Sequence, residues 1–232
     1  MRMAEFAEPS PAEIIRVLLK AYGPQHWWPG ETRLEIIVGA VLTQNTNWLN
    51  VSHAMDRLRE HGLLAWEPLL ASDDALLLEC IRPAGVYRVK LRRLRALLAY
   101  LQPFGLDHPR FGELPVETLR AELLRVYGIG PETADSILLY GFERPAFVVD
   151  AFTRRMFGRL GATWAIRAQY DDVRARLMSA FPQDVALYNE AHALIVRHSK
   201  ELCRARPLCS GCPLQVRCPY GQEHSCATNT IR

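Results

Sequence analysis

Gly128-Ile129-Gly130-Pro131-Glu132-Thr133-Ala134-Asp135, followed by the apolar strip Ile137 to Tyr140 and then by Val148-Val149-Asp150, is the stretch from which the fold of this chain is read. A G-x-G turn that opens a helix aims backbone N–H groups and the positive end of the helix dipole at one spot, which suits a phosphate. Eighteen residues beyond Glu132, Asp150 leaves an apolar run and enters a helical pattern of Phe152, Met156, Phe157 and Leu160. The turn would then present a lone carboxylate beside the bound backbone. A helix–helix turn with an N-cap aspartate leaves the same trace, so other segments must decide between packing and chemistry.

The C-terminal segment supplies the second signal. Cys203, Cys209, Cys212 and Cys218 form a C-x5-C-x2-C-x5-C run, close enough for one small loop to gather four thiolates around a metal centre. Such sets hold an iron–sulfur cluster or a tetrahedral zinc. Disulfides are disfavoured because no signal peptide directs the chain to an oxidising compartment. Zinc fits less well than a cluster, since zinc ribbons pair two distant C-x2-C knuckles. Arg204, Arg206 and Arg217 surround the cysteines and could touch phosphate. Cys80 reads as a small buried apolar residue and Cys226 as part of a loose tail.

The 232 residues, 49% hydrophobic and 23% charged, describe an ordinary globular protein with room for one large domain or two small ones. No apolar run reaches the roughly 18 residues of a membrane helix. A net charge of +3 makes any basic surface local. Helical periodicity dominates. Ser10-Pro11-Ala12-Glu13 and Thr32 to Glu35 read as capped helix starts. Further helices are expected over Asn47–Arg59, Ser72–Ile81, Tyr87–Leu101, Pro115–Tyr127, Pro131–Phe142, Asp150–Leu160, Gln169–Phe181 and Asp184–Lys200. The run Ala146 to Val149 is the best strand candidate, and it is too short and isolated to anchor a sheet. The fold class is therefore all-α.

The hairpin turn, Asp150 and the cysteine run together resemble the helix-hairpin-helix plus Gly/Pro-Asp superfamily of DNA glycosylases, endonuclease III-like in its cluster loop. The resemblance implies a two-domain fold. Residues 26–144 would form a six-helix barrel containing the hairpin. Residues 1–25 and 145–232 would form a discontinuous helical domain with a [4Fe–4S] loop at 203–218. DNA would lie across the cleft between them. The usual first cysteine spacing in that family is six residues, and here it is five. A monomeric cytoplasmic, nucleoid-associated protein acting on double-stranded DNA with a damaged base follows from the same resemblance, with no membrane partner.

Glu132 bears on mechanism. In endonuclease III this position holds a lysine whose amine attacks the sugar, forms a Schiff base and goes on to cleave the strand. A glutamate cannot, and lysines occur only at 20, 90 and 200. Members without that lysine are usually monofunctional, so Asp150 would carry the chemistry by stabilising an oxocarbenium-like sugar and orienting water. Gly128, Gly130 and Thr133 would bind the DNA backbone.

Trp27-Trp28-Pro29, the segment Leu42 to Trp48 containing Gln44, and Ile81 to Tyr87 are similar to the 3-methyladenine DNA glycosylase III branch, which also has glutamate in the hairpin. By that likeness Trp27 or Trp28 and Trp48 stack on the lesion and Pro29 lines its pocket, whereas core packing is the ordinary use of such residues. A cationic alkylated purine gains about 0.5–2 kcal/mol from an aromatic cage and about 1–3 kcal/mol from stacking. Those terms help to offset base extrusion, but cannot supply the ~8 kcal/mol or more of an enzyme's rate effect; the weakened glycosidic bond and Asp150 must do that. The branch relative lacks a cluster loop, so this chain combines features of two branches. Gln44 would fill the gap left by the flipped nucleotide, with Val86 and Tyr87 wedged into the opposite strand. Arg88, Arg92 and Arg95 share a helical face, read as solvated surface with phosphate contact as the alternative. His192 reads as a hydrogen-bonded structural histidine. The rival functions are a bifunctional glycosylase/lyase acting on oxidised pyrimidines and a non-catalytic DNA-damage sensor.

Overall fold

A computed structural model describes residues 10–27 and 30–225 of the chain. Trp28, Pro29 and Cys226 lie outside the described residues. Every regular element among those described is helical, and none is long and apolar enough to cross a membrane. Two compact units form, one of Met1–Trp27 with Phe147–Arg232 and the other of Trp28–Ala146. The break after Trp27 places that tryptophan in the unit that carries Asp150.

The continuous unit holds α2 (Arg33–Leu42), α3 (Trp48–Glu60), α4 (Trp66–Ala71), α5 (Asp74–Ile81), α6 (Tyr87–Leu101), α7 (Arg110–Glu113), α8 (Val116–Arg125) and α9 (Pro131–Ser136). α2 is apolar on nearly every side, from Leu34 to Leu42, as expected of a central helix. Thr32 caps it by accepting from the Glu35 N–H at 3.2 Å. Glu35 reaches back one residue further than a capping box requires, accepting from Glu31 N–H at 3.0 Å. α3, α6 and α9 pack on α2, and Leu91, Leu94, Leu97, Leu98 and Leu101 of α6 enter the shared core.

The discontinuous unit begins with α1 (Pro11–Tyr22) and resumes with α10 (Ala151–Arg159), α11 (Thr163–Arg167), α12 (Tyr170–Ser179), α13 (Val185–Glu201) and α14 (Pro219–Ser225). Ile14, Ile15 and Leu18 bury one face of α1, which packs on α13, and α10 also packs on α13. Ser10 precedes α1 with extended backbone but makes no side-chain cap bond, so proline at the first helical position is the start signal that operates there.

Three expectations change. The helix expected over Pro131–Phe142 is α only to Ser136 and then widens to a π turn over Ile137–Gly141, closed by Phe142 N–H donating to Ile137 O at 3.0 Å. Gly141 lies so close to α2 that a Cβ there would stand 3.0 Å from Ile37 Cγ1, and the extra residue in the turn accommodates this contact. α8 stops at Arg125, two residues before Tyr127, where Val126 turns extended toward the hairpin. The short helices α4, α7, α11 and α14 were not anticipated, being too short to show a period. Ala146 to Val149 is buried and joins no ladder.

Candidate functional site

The hairpin turn between α8 and α9 is built on two glycines with different duties. Gly128 has φ +77°, and a Cβ there would come within 2.2 Å of Arg93 Cγ, so both backbone and neighbour demand glycine. Gly130 has extended φ and ψ and precedes Pro131. The first intrahelical bond is Ala134 N–H to Gly130 O at 2.9 Å, so the Glu132 and Thr133 amides lie in the turn before the ladder begins. The two helices are tied by Arg120, whose Nε donates to Asp135 Oδ1 at 2.8 Å and Nη2 to Oδ2 at 3.4 Å, with Asp135 fully buried.

Gln44 does not project freely. Its Nε2 donates to Gly128 O at 3.0 Å and to Thr133 Oγ1 at 2.9 Å, and its Oε1 accepts from Arg93 Nη1 at 2.5 Å. Gln44, Asn45, Arg93, Gly128, Gly130, Glu132 and Thr133 line one open groove of about 450 Å3. Glu132 is exposed at its edge and Thr133 is buried. Arg93 is the groove residue that sequence reading passed over. It sits between the arginines taken as a surface row, three residues after Lys90 on the same face of α6.

Of that row, Arg95 is neither solvated surface nor available to phosphate. Its Nε meets Asp74 Oδ1 at 3.0 Å, and its guanidinium donates to the carbonyls of Leu69, Leu70 and Ser72, closing the end of α4. Arg92 lies over the Tyr127 ring. Lys90 is 2% exposed and donates to Leu42 O at 2.8 Å and Ala84 O at 2.6 Å. Burial, and then the charge of Arg93, bring its pKa down to about 8. Both its contacts join α2 to the short 3-10 turn Arg82–Ala84. After that turn Val86 adopts φ +44° with its side chain 65% exposed, an unfavourable conformation for a β-branched residue. Tyr87 follows, its hydroxyl pKa lowered chiefly by a hydrogen bond from Arg82.

In the other unit Asp150 is the N-cap of α10. Oδ1 accepts from Thr153 N–H at 2.7 Å and from Thr153 Oγ1 at 2.8 Å. Oδ2 lies 3.5 Å from Nε2 of His192, on α13. Burial pushes the carboxyl pKa up. Donation and charge from His192 and the two Thr153 donors outweigh that, leaving it below its ordinary value. The Trp27 and His192 rings are tilted at 52° to each other, with centroids 6.5 Å apart. The structure therefore gathers Trp27, His192 and Asp150, a grouping invisible in sequence because the three stand on a loop, a helix interior and a cap. Trp48 is 40% exposed at the start of α3, in the unit that Trp27 does not share.

Cys203, Cys209, Cys212 and Cys218 line one cavity with His198, Leu202 and Leu214. Among the described residues no three histidine, cysteine, aspartate or glutamate side chains converge as a single-ion site. Four thiols lining a common, mostly apolar space are the donor type that a four-cysteine iron–sulfur cluster takes. Burial pushes the Cys212 thiol up and that of Cys218 to about 11, so loading metal means displacing protons. Arg159 strings the shortened first spacing together. Its guanidinium donates to the carbonyls of Cys203, Arg204 and Ala205 at 3.2, 2.7 and 3.1 Å and lies 3.4 Å from Cys203 Sγ. Cys80 lies apart, fully buried in the core of the other unit.

All-helical units, a glycine hairpin and an aspartate that caps the next helix define a protein of the helix-hairpin-helix class. Residues 38–183 match the model of the HhH-GPD superfamily base excision DNA repair proteins. The chain belongs to this family, on its endonuclease III-like side. It is 45% identical to a protein of Methanocaldococcus jannaschii provisionally named a DNA repair glycosylase, over 89% of this chain and 94% of that one. It is 28% identical to endonuclease III of Thermotoga maritima over 90% and 92%. Among solved structures, the 3-methyladenine DNA glycosylase MagIII of H. pylori, bound to 1,N6-ethenoadenine, superposes with a TM-score of 0.71 at 27% identity, covering 83% of this chain and 98% of that one. An endonuclease III in a non-covalent DNA complex gives 0.77 at 25%, covering 94% and 99%. The chain is thus a DNA glycosylase of base excision repair.

Proposed function

We propose that this glycosylase is monofunctional, removing an alkylated purine such as 3-methyladenine from double-stranded DNA and leaving an abasic site. The observation that carries this reading is the chemistry around Asp150: an ionised carboxylate with one oxygen used in capping and no lysine among its contacts in the described residues. Such a group stabilises positive charge developing on the sugar and orients water, but forms no Schiff base. Glu132 occupies the hairpin position where a nucleophilic amine would stand, and Lys90 is buried against two carbonyls. Trp27, beside His192 at a tilt of 52°, supplies one aromatic face for a cationic base; Trp28, Pro29 and Trp48 are the other residues proposed to contact it. Gly128, Gly130 and Thr133 hold the backbone, Gln44 fills the vacated stack, and exposed Val86 with Tyr87 forms the wedge. The strained backbone of Val86 supports that role. Cys203, Cys209, Cys212 and Cys218 would hold a [4Fe–4S] cluster, which when bound cross-links and stiffens the segment after α13.

The test is release of free bases from methylated duplex DNA, identified by mass spectrometry, with wild type and Asp150→Asn side by side. Methylated purines are expected from wild type, with a loss of at least a hundredfold in the variant while duplex binding persists. Wild-type protein that releases no methylated base rejects the substrate assignment. The second reading, a glycosylase/lyase on oxidised pyrimidines, draws on the likeness to a trapped endonuclease III–DNA covalent intermediate, TM-score 0.76 at 25% identity. Borohydride trapping of a covalent adduct on oxidised-pyrimidine DNA would establish it instead.

A further inference from the structure

The hairpin groove contains an arginine without an ion-pair partner among the described residues. Arg93 forms no ion pair among the described residues; its one hydrogen-bond partner is the neutral amide oxygen of Gln44. Its Nε is shut off from solvent without a partner. The nearby Lys90 adds a second positive charge and is likewise bound only to neutral carbonyls. The acidic side chain lining the groove is Glu132, exposed at its edge. A partly desolvated guanidinium facing a neutral acceptor is undercompensated, and an anionic oxygen in the amide's place would bind it roughly twice as strongly. The side chain is also held in position: it crosses Gly128, where a Cβ would stand 2.2 Å from its Cγ and 2.6 Å from its Cδ.

We infer that Arg93 is a phosphate-binding residue of the hairpin, and that Gln44 is its internal stand-in ligand, occupying the guanidinium until a DNA phosphate oxygen replaces the amide. The inference rests on the DNA-binding reading and goes beyond it by coupling two events. In the DNA-free protein Gln44 is held by three hydrogen bonds, to Gly128 O, Thr133 Oγ1 and Arg93 Nη1. Capture of a phosphate by Arg93 removes the charge-assisted one of the three. The glutamine is then held by two hydrogen bonds instead of three, so backbone engagement favours its release.

Undamaged duplex is the probe, because it offers phosphates without a flipped base. Affinity is measured over a salt series for wild type, Arg93→Met, Gln44→Ala and Gln44→Glu, with melting temperatures recorded in parallel. Arg93→Met is expected to lower the slope of log K against log salt by about 1, the loss of one phosphate contact. Gln44→Ala removes the internal competitor and should bind the undamaged duplex several-fold more tightly than wild type. Gln44→Glu gives Arg93 a competing carboxylate and should bind at least tenfold more weakly than Gln44→Ala. The two glutamine variants decide the matter even if Arg93→Met fails to fold. An unchanged slope in a folded Arg93→Met, or equal weakening by both glutamine variants, overturns the inference while leaving the DNA-binding reading intact. Wild type that shows no salt-dependent duplex binding overturns both.

Discussion

With Oδ1 committed to Thr153, the carboxylate of Asp150 turns Oδ2 toward His192, 3.5 Å away. In the proposed mechanism capping and catalysis draw on different atoms of one side chain. Asparagine caps helices nearly as well as aspartate, so Asp150→Asn should fold and still lose its charge, which makes it a clean separation of function. The depressed pKa sets the pH behaviour. The stability this group contributes is present above its ordinary value near 3.8 and is lost as pH falls through its lower folded pKa. Base release, corrected for the uncatalysed reaction, should therefore show no acid limb from Asp150 between pH 7 and 5. An apparent pKa above 5 that persists in His192→Gln would contradict an ionised Asp150. The sequence shows the cap and the carboxylate together, because an aspartate at the end of an apolar run has few other uses. It hides the partner, since a histidine within a helix gives no sign of which distant cap it faces.

Among the elements, the hairpin is tied across its two helices by a buried ion pair. Arg120 and Asp135 form a two-point ion pair with side chains 8% and 0% exposed, and its worth lies in fixing the geometry between α8 and α9 more than in net stability. Removing one partner is a different matter, because the other is left charged and dry. Asp135→Ala should cost about 3–5 kcal/mol, measured by urea unfolding, whereas replacing both residues with apolar ones should cost much less. Helix existence was legible wherever apolar spacing ran for ten residues or more, and Tyr87–Leu101 is found with the expected bounds. The π turn was not, because its cause is the tight approach of Gly141 to Ile37, a contact between residues far apart in sequence. Arg93 escaped for a related reason. A row of four arginines in one helix gives no indication of which guanidinium turns inward, and the answer depends on Gly128 having no side chain.

At the scale of the molecule, the four cysteines belong to a single cavity in the discontinuous unit. Purified under anaerobic conditions, the protein should be brown with about four irons per chain. Cys212→Ser should lose the visible band and lower the melting temperature. A colourless, zinc-loaded wild type would refute the cluster. The cysteine spacing announced a metal centre, but it could not reveal how Arg159 braces the shortened loop, since that arginine lies a helix and more upstream in the chain.

The way α1 is completed has a further consequence, for biosynthesis. Ile14, Ile15 and Leu18 find their cover on α13, and Arg197 donates to the Tyr22 carbonyl across 175 residues of sequence. At translation rates of 5–20 residues per second, the first helix leaves the ribosome on the order of 10–30 s before its partner exists. The intervening unit emerges with all its own contacts available. α1 spends that interval as an unpaired apolar surface, and the nascent chain must keep it from finding another partner.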